Sequence, residues 1–153
     1  MRPDMTVARR ILEAAGVSAT VADVPVLGVM CRVSPEESRG ALLALRDSDL
    51  GFAFMVDLFG VDAGEAVDVV YHLRSLSRDE ELYVKVLHAY GSILTSMWEI
   101  FPAAHFPERE CAEMFGLTLA GHPNPKRLFT TEGCPPYLLK SVEIRTAEEV
   151  RNR

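Results

Sequence analysis

Cysteine is scarce: only Cys31, Cys111 and Cys134 occur among 153 residues, far apart and with no pair at CxxC spacing. An odd, scattered set provides no disulfide framework and suits a reducing compartment. Long apolar runs are also missing. The best candidate, Phe52 to Phe59, is interrupted by Asp57 and falls well short of the ~20 residues of a membrane span. The early arginines are broken up by Asp4 and Glu13 and lead into no signal-peptide core. Basic residues are in deficit, 16 Lys and Arg against 22 Asp and Glu for a net charge of −6, which speaks against an electrostatic nucleic-acid binder. Walker, GxGxxG and GxSxG loops and a Cys-His-Asn arrangement are absent, so catalysis by this chain alone has little motif support. The expectation is a cytoplasmic protein that reaches a membrane only through partners.

What is present is an ordinary core-forming composition, 48% hydrophobic and 25% charged, in a chain long enough to bury a core without staples. Ala8, Ile11, Leu12 and Ala15 fall at helical spacing before Gly16, which predicts a first helix over 6–15. A buried strand is expected between Val24 and Val33. Ser34-Pro35-Glu36-Glu37 then supplies a hydroxyl cap, an N1 proline and an N3 glutamate, the start of a helix that buries Ser38, Ala41, Leu42 and Leu45 and ends between Asp47 and Gly51. Three alternating strands follow. Phe52, Phe54, Val56 and Leu58 share one face of the first, Val67, Val69, Tyr71 and Leu73 of the second, and Leu82, Val84 and Val86 of the third. Their short polar connections predict an antiparallel meander.

Ile93, Leu94, Met97, Trp98 and Phe101 trace a helical face that Pro102 ends, and a second helix is expected from Pro107 to Phe115, stopped by Gly116. From Leu117 to Lys140 periodicity fails, because Gly121, Pro123, Pro125, Gly133, Pro135 and Pro136 forbid much regular structure. Leu119, Leu128, Phe129, Tyr137, Leu138 and Leu139 are too apolar for a solvated linker. Such a stretch reads as a strap laid across a partner. The fold class is therefore α+β, a mainly antiparallel sheet with flanking helices in residues 1–116 and a long irregular C-terminal extension in 117–153.

The densest polar cluster, Glu108, Arg109, Glu110 and Glu113, leads into that strap. Helix-dipole complementarity and an Arg109–Glu113 pair at i, i+4 form its bland reading. Glu110 and Glu113 as an acid/base pair form the catalytic one. Anchorage of the strap, or of a partner, by charge-assisted hydrogen bonds is favoured. Lys126 and Arg127 are balanced between binding an anionic group and simple solvation. Cys111 stands among glutamates that work against a reactive thiolate. The spacing of His105, Cys111 and His122 fits no zinc pattern, and their convergence in space remains the alternative from another class, a small freestanding metal-dependent enzyme.

The run Glu108-Arg109-Glu110, two residues, Glu113-Met114-Phe115, six residues, His122, three residues, Lys126, one residue, Leu128 resembles the signature of the 30-kDa subunit family of respiratory complex I. The resemblance extends upstream through Asp57-Leu58-Phe59-Gly60-Val61-Asp62, Val69-Val70-Tyr71-His72-Leu73 and Trp98, and downstream to Val142-Glu143-Ile144-Arg145. It implies a cofactor-free scaffold on the cytoplasmic side of the inner membrane. Such a subunit docks a 49-kDa-type large subunit and the small subunit holding the terminal cluster, and meets the membrane arm indirectly. Iron–sulfur clusters, flavin and quinone would reside in partner subunits. The implied partner-binding residues are Glu108, Arg109, Glu110, Glu113, Gly121, His122, Pro123, Lys126 and Arg127. Departures from the pattern include Phe129, Pro125-Lys126 and the stretch Cys134 to Lys140. They leave open the homologous subunit of a membrane-bound [NiFe] hydrogenase or formate hydrogenlyase, where a nickel–iron centre would sit in a partner.

Overall fold

The computed structural model describes residues 4–131 together with Gly133 and Cys134. Helix α1 (Met5–Ala14) opens where the Asp4 carboxylate accepts the Thr6 amide at 2.8 Å, and it buries Ala8 and Leu12. Gly16, at φ +73°, closes it, with the Val17 amide donating back to the Leu12 carbonyl at 2.9 Å, the geometry in which only a residue tolerant of left-handed backbone fits without strain.

The strand expected from 24 to 33 is instead a hairpin. Strands β1 (Thr20–Val24) and β2 (Gly28–Val33) pair antiparallel, Thr20 opposite Arg32, around a turn that exposes Val26 at 94% and holds it at φ +73°. Only Val21 of β1 is buried, so the strand lacks the alternation that would reveal it.

Helix α2 (Ser38–Asp47) buries Ser38, Ala41, Leu42 and Leu45 as expected. The capping box expected at Ser34 forms only by half, since the helix proper begins at Ser38: Ser34 Oγ accepts the Glu37 amide at 3.3 Å, but the Glu37 carboxylate accepts the Ser34 hydroxyl and the Ser18 amide, both at 2.9 Å. The cap thus also ties the link between α1 and β1 to α2.

The meander is β3 (Phe54–Asp62), β4 (Ala66–Ser75) and β5 (Glu80–Ala89), paired antiparallel in turn. Strand β2 joins the other side of β5 in parallel, giving the order β1-β2-β5-β4-β3. Val67, Val69, Tyr71, Leu73, Leu82, Val84 and Val86 are all fully buried, in one core with Ala41, Leu42, Leu45, Cys111 and Phe115 from the helices. The first strand departs from the expected face. A register shift between Met55 and Asp57 turns Phe54 and Val56 outward and Met55 inward, while Phe52, which precedes the strand, is buried. A bulge adds one residue and reverses the alternation beyond it, which a period-2 reading does not foresee.

The helix expected from Ser92 to Phe101 does not form. Ile93–Thr95 is strand β6, parallel to β7 (Thr118–Ala120), and a single turn follows in which Ile100 and Phe101 donate to the Met97 carbonyl. The Ser96 amide goes to the Ala120 carbonyl and the Met97 amide to the Glu108 carboxylate, so the backbone donors are claimed by other segments. A 3₁₀ turn, Pro102–Ala104, leads into α3 (His105–Phe115), which ends at Gly116, φ +66°. Helix α3 packs on β3 closely enough to require a glycine there. A Cβ on Gly60 would overlap two ring carbons of Phe115, the second at 2.6 Å, and stand 3.1 Å from Cys111 Sγ. Gly60→Ala is therefore expected to cost about 1–3 kcal/mol by overpacking, read as a lowered midpoint with unchanged slope in urea unfolding.

Candidate functional site

Helix α3 aims successive polar residues in different directions. Glu108, fully buried, points back toward the chain before the helix, where its carboxylate accepts the Ser96 hydroxyl and, at 2.6 Å, the Met97 amide. Burial raises its pKa above the ordinary value, opposed by those two hydrogen bonds and by His122, whose Nε2 lies 4.0 Å away. This carboxyl fixes the β6 segment to α3 and faces no solvent, a structural role that its place in a charged run conceals.

Arg109 and Glu113, one turn apart on the adjoining face, reach the strap rather than each other. The Arg109 guanidinium donates from Nε to the Lys126 carbonyl at 2.7 Å and from Nη2 to the Arg127 carbonyl at 2.8 Å. Glu113 accepts the amides of Leu128, Phe129 and Thr130 at 2.6, 3.1 and 2.5 Å. A segment without ladder or helix must still satisfy its backbone polar groups. Here one cation takes two carbonyls and one anion takes the next three amides. Desolvation in this cleft works to raise the Glu113 pKa, but the Thr130 hydroxyl and the three amides outweigh it and bring the carboxyl down to about 2. The i, i+4 ion pair is thus replaced by a two-handed clamp, and a carboxylate so committed does not fit the acid/base pair with Glu110.

The strap is seated upstream as well. Gly121 adopts φ +75° and its carbonyl accepts the Trp98 indole N–H at 3.0 Å. The buried His122 ring accepts the Asn124 amide on Nδ1 at 3.0 Å, so Nε2 bears the proton shared with the His105 carbonyl at 2.8 Å. Pro123 and Lys126 are exposed. Arg127 donates to Thr130 Oγ1 and the Thr131 carbonyl, both at 3.1 Å, holding the turn rather than presenting an open anion site. Between strap and helix lies a cavity of about 480 Å³ bordered by Arg109, Glu113, Leu117 and Pro125.

The sequence model of the family described as respiratory-chain NADH dehydrogenase, 30 Kd subunit, matches residues 31–147. The chain belongs to this family. It is 32% identical over 146 residues to an NADH-quinone oxidoreductase subunit of Rhizobium meliloti, covering 87% of this chain and 73% of the relative. Identity is 38% over 133 residues to the corresponding subunit of Rhodobacter capsulatus, covering 79% and 66%. Of the counterpart in a Methylobacterium species, 37% identical over 112 residues, the chain spans about half the length, 52%. A chain in the structure of an archaeal membrane-bound sulfane sulfur reductase shares the fold, with a TM-score of 0.66 at 24% identity, covering 76% of this chain and 70% of that one.

In this 30-kDa-type subunit, the residues from Glu108 to Leu128 that carry the resemblance noted in the sequence lie on α3 and the strap and include the clamp. The sequence groups Glu108, Arg109, Glu110 and Glu113 as one cluster, whereas the structure divides them. Glu108 faces the core, Arg109 and Glu113 the strap, and Glu110 a separate groove with Asp57, Phe59 and Met114. Trp98 and the His105 carbonyl also hold the strap, unanticipated because their partners lie about twenty residues away. Phe106 and Phe129 flank the clamp at 59% and 64% exposure, with the Arg109 guanidinium 5.8 Å from the Phe106 ring centre. Cys111 is buried and its thiol is pushed up to about 12, first by burial and then by Glu108 and Glu110, the opposite of an activated nucleophile. Among the described residues no group of three His, Cys, Asp or Glu is placed to hold a metal ion, and no helix is long and apolar enough to cross a membrane. The stretches Pro135 to Lys140 and Val142 to Arg145 lie outside the described residues.

Proposed function

We propose that this chain is a scaffold subunit of a complex I-type NADH:quinone oxidoreductase whose clamped strap docks the 49-kDa-type large subunit and the terminal-cluster small subunit. The observation carrying this reading is the α3 clamp. Five backbone groups of an irregular segment are held by two side chains while Phe106 and Phe129 stay exposed beside them, as a pre-shaped surface for another protein requires. The Gly121-His122-Pro123 turn sets the strap's entry, Lys126 and Arg127 offer carbonyls to the clamp, and the exposed Lys126 offers a cationic side chain to a partner. On this reading the chain holds no redox group. Clusters, flavin and quinone belong to partner subunits, and the chain sits on the cytoplasmic face of the inner membrane through them, contributing geometry to electron transfer coupled to ion translocation. Residues 117–153 act as the partner-wrapping segment and 1–116 as the core that carries it.

A tagged copy recovered from its native host in mild detergent should bring with it quinone-module, flavin and antiporter-like membrane subunits, identified by mass spectrometry. Recovery with an intact nickel–iron large subunit moves the assignment to the hydrogenase branch. A solitary protein overturns both. In the same assay Arg109→Ala is expected to lower partner recovery about tenfold or more at matched folded concentration, because it frees the Lys126 and Arg127 carbonyls and loosens the surface to be bound. Equal recovery contradicts the role given to Arg109.

A further inference from the structure

The two edges of the main sheet are protected unequally. At the β1 edge, the Arg9 guanidinium donates to the Val21 carbonyl at 3.3 Å and α1 packs alongside. At the β3 edge, protection is confined to the first half. The bulge lies between Met55 and Asp57, and Asp57 Oδ1 accepts the Leu58 amide at 2.8 Å. Both are known means of blunting an edge strand. Beyond Leu58 the pairing is regular, and the Ala63 amide donates to the Ala66 carbonyl at 2.8 Å. Odd-numbered residues from Phe59 to Ala63 therefore turn their backbone groups toward β4, and Gly60 turns its amide and carbonyl to the open edge.

Along that same edge runs a groove of about 300 Å³ bordered by Asp57, Phe59, Gly60, Pro107, Glu110 and Met114. Its volume suits side chains of an extended segment rather than a helix about 10 Å across. The walls are part apolar and part polar, and the only charges among the lining residues are two carboxylates. Among the described residues no lysine or arginine pairs with Asp57 or Glu110. Phe59, beside the groove, is 38% exposed.

We infer that this groove receives an extended segment of a partner subunit that carries a lysine or arginine next to an apolar residue. The segment's backbone pairs with Gly60 by strand addition. Its cation meets Asp57 and Glu110 with the aliphatic stem along Met114, and its apolar neighbour rests on Phe59. The inference rests on the assembly role proposed above and gives Glu110, which the strap does not use, a partner of definite chemistry. Charge complementarity of this kind governs register and encounter rate.

A photoreactive phenylalanine analogue placed at Phe59, in the tagged chain expressed in its native host, provides the test, with the same analogue at Phe129 as reference. Irradiation should link position 59 to a lysine- or arginine-bearing extended segment of a partner subunit. Asp57→Asn, which keeps an oxygen for the Leu58 amide, combined with Glu110→Lys should lower the yield of that link tenfold or more while the isolated chain's urea midpoint holds. A link to a helix, to an acidic segment or to a second copy of this chain overturns the inference. Links at 129 with none at 59 overturn it while leaving the docking role of the strap intact. Links at neither position overturn both.

Discussion

Glu108→Ala is expected to lower the chain's unfolding free energy by about 2–4 kcal/mol. The change leaves the Ser96 hydroxyl and Met97 amide without their acceptor in a place closed to water, and each buried unsatisfied group costs about 1–3 kcal/mol. It also opens a cavity between β6 and α3. Glu108→Gln keeps one acceptor and the volume, and should cost less than half as much. The pH dependence separates charge from shape. A carboxyl whose folded pKa is raised binds its proton more tightly in the native state, so the stability it contributes falls as pH rises from its ordinary 4.5 through the raised value. Urea unfolding across that window should show the decline in the parent and a flatter profile in Glu108→Gln. Identical profiles would mean that the carboxyl carries no charge penalty.

Glu113 should behave with the opposite sign and at a different place. Its folded pKa is lowered from 4.5 to about 2, so its contribution is complete above pH 4.5 and fades as pH falls toward 2. The clamp holds a surface segment, and its loss should appear as local opening rather than global unfolding. Glu113→Ala is expected to speed amide exchange at Leu128, Phe129 and Thr130 roughly 10- to 150-fold, the equivalent of about 1.5–3 kcal/mol for hydrogen bonds to a charged group. Core amides of β4 and β5 should be unaffected. Unchanged exchange at those three residues would show that other contacts hold the strap.

These residues also mark where the sequence is legible and where it is not. The buried faces of α2 and β5 can be read directly because their period matches a single burial direction, and in β4 the expected face is found although Asp68 and Val70 on the other face are buried too. Strand β3 defeats the same rule at one residue, since a bulge leaves no local mark in a run such as Phe54-Met55-Val56. The Ile93 to Phe101 segment misleads because Leu94, Met97 and Phe101 are all buried at spacings a helix would use. Its backbone donors are decided by Ala120 and Glu108, both distant in sequence. The polar cluster on α3 and its tie to the strap are visible in the order of residues. How its members divide is not, because rotation about a helix says which residues share a face and nothing about what lies opposite. Trp98 reads as part of a helical stripe, and only the fold brings its indole to the Gly121 carbonyl.

The central claim is that the clamped strap is a surface made for a partner, and hydrogen–deuterium exchange of residues 117–131 in two preparations tests it most directly. In the isolated chain, the Leu128, Phe129 and Thr130 amides held by Glu113 should be protected while those of Arg127 and Thr131 beside them exchange quickly. In the assembly recovered from the native host, protection should spread over the whole stretch from Gly121 to Thr131 and to the first turn of α3. Strap exchange that is the same in both preparations, with partner subunits demonstrably bound, would contradict the account and place the docking surface elsewhere on the molecule.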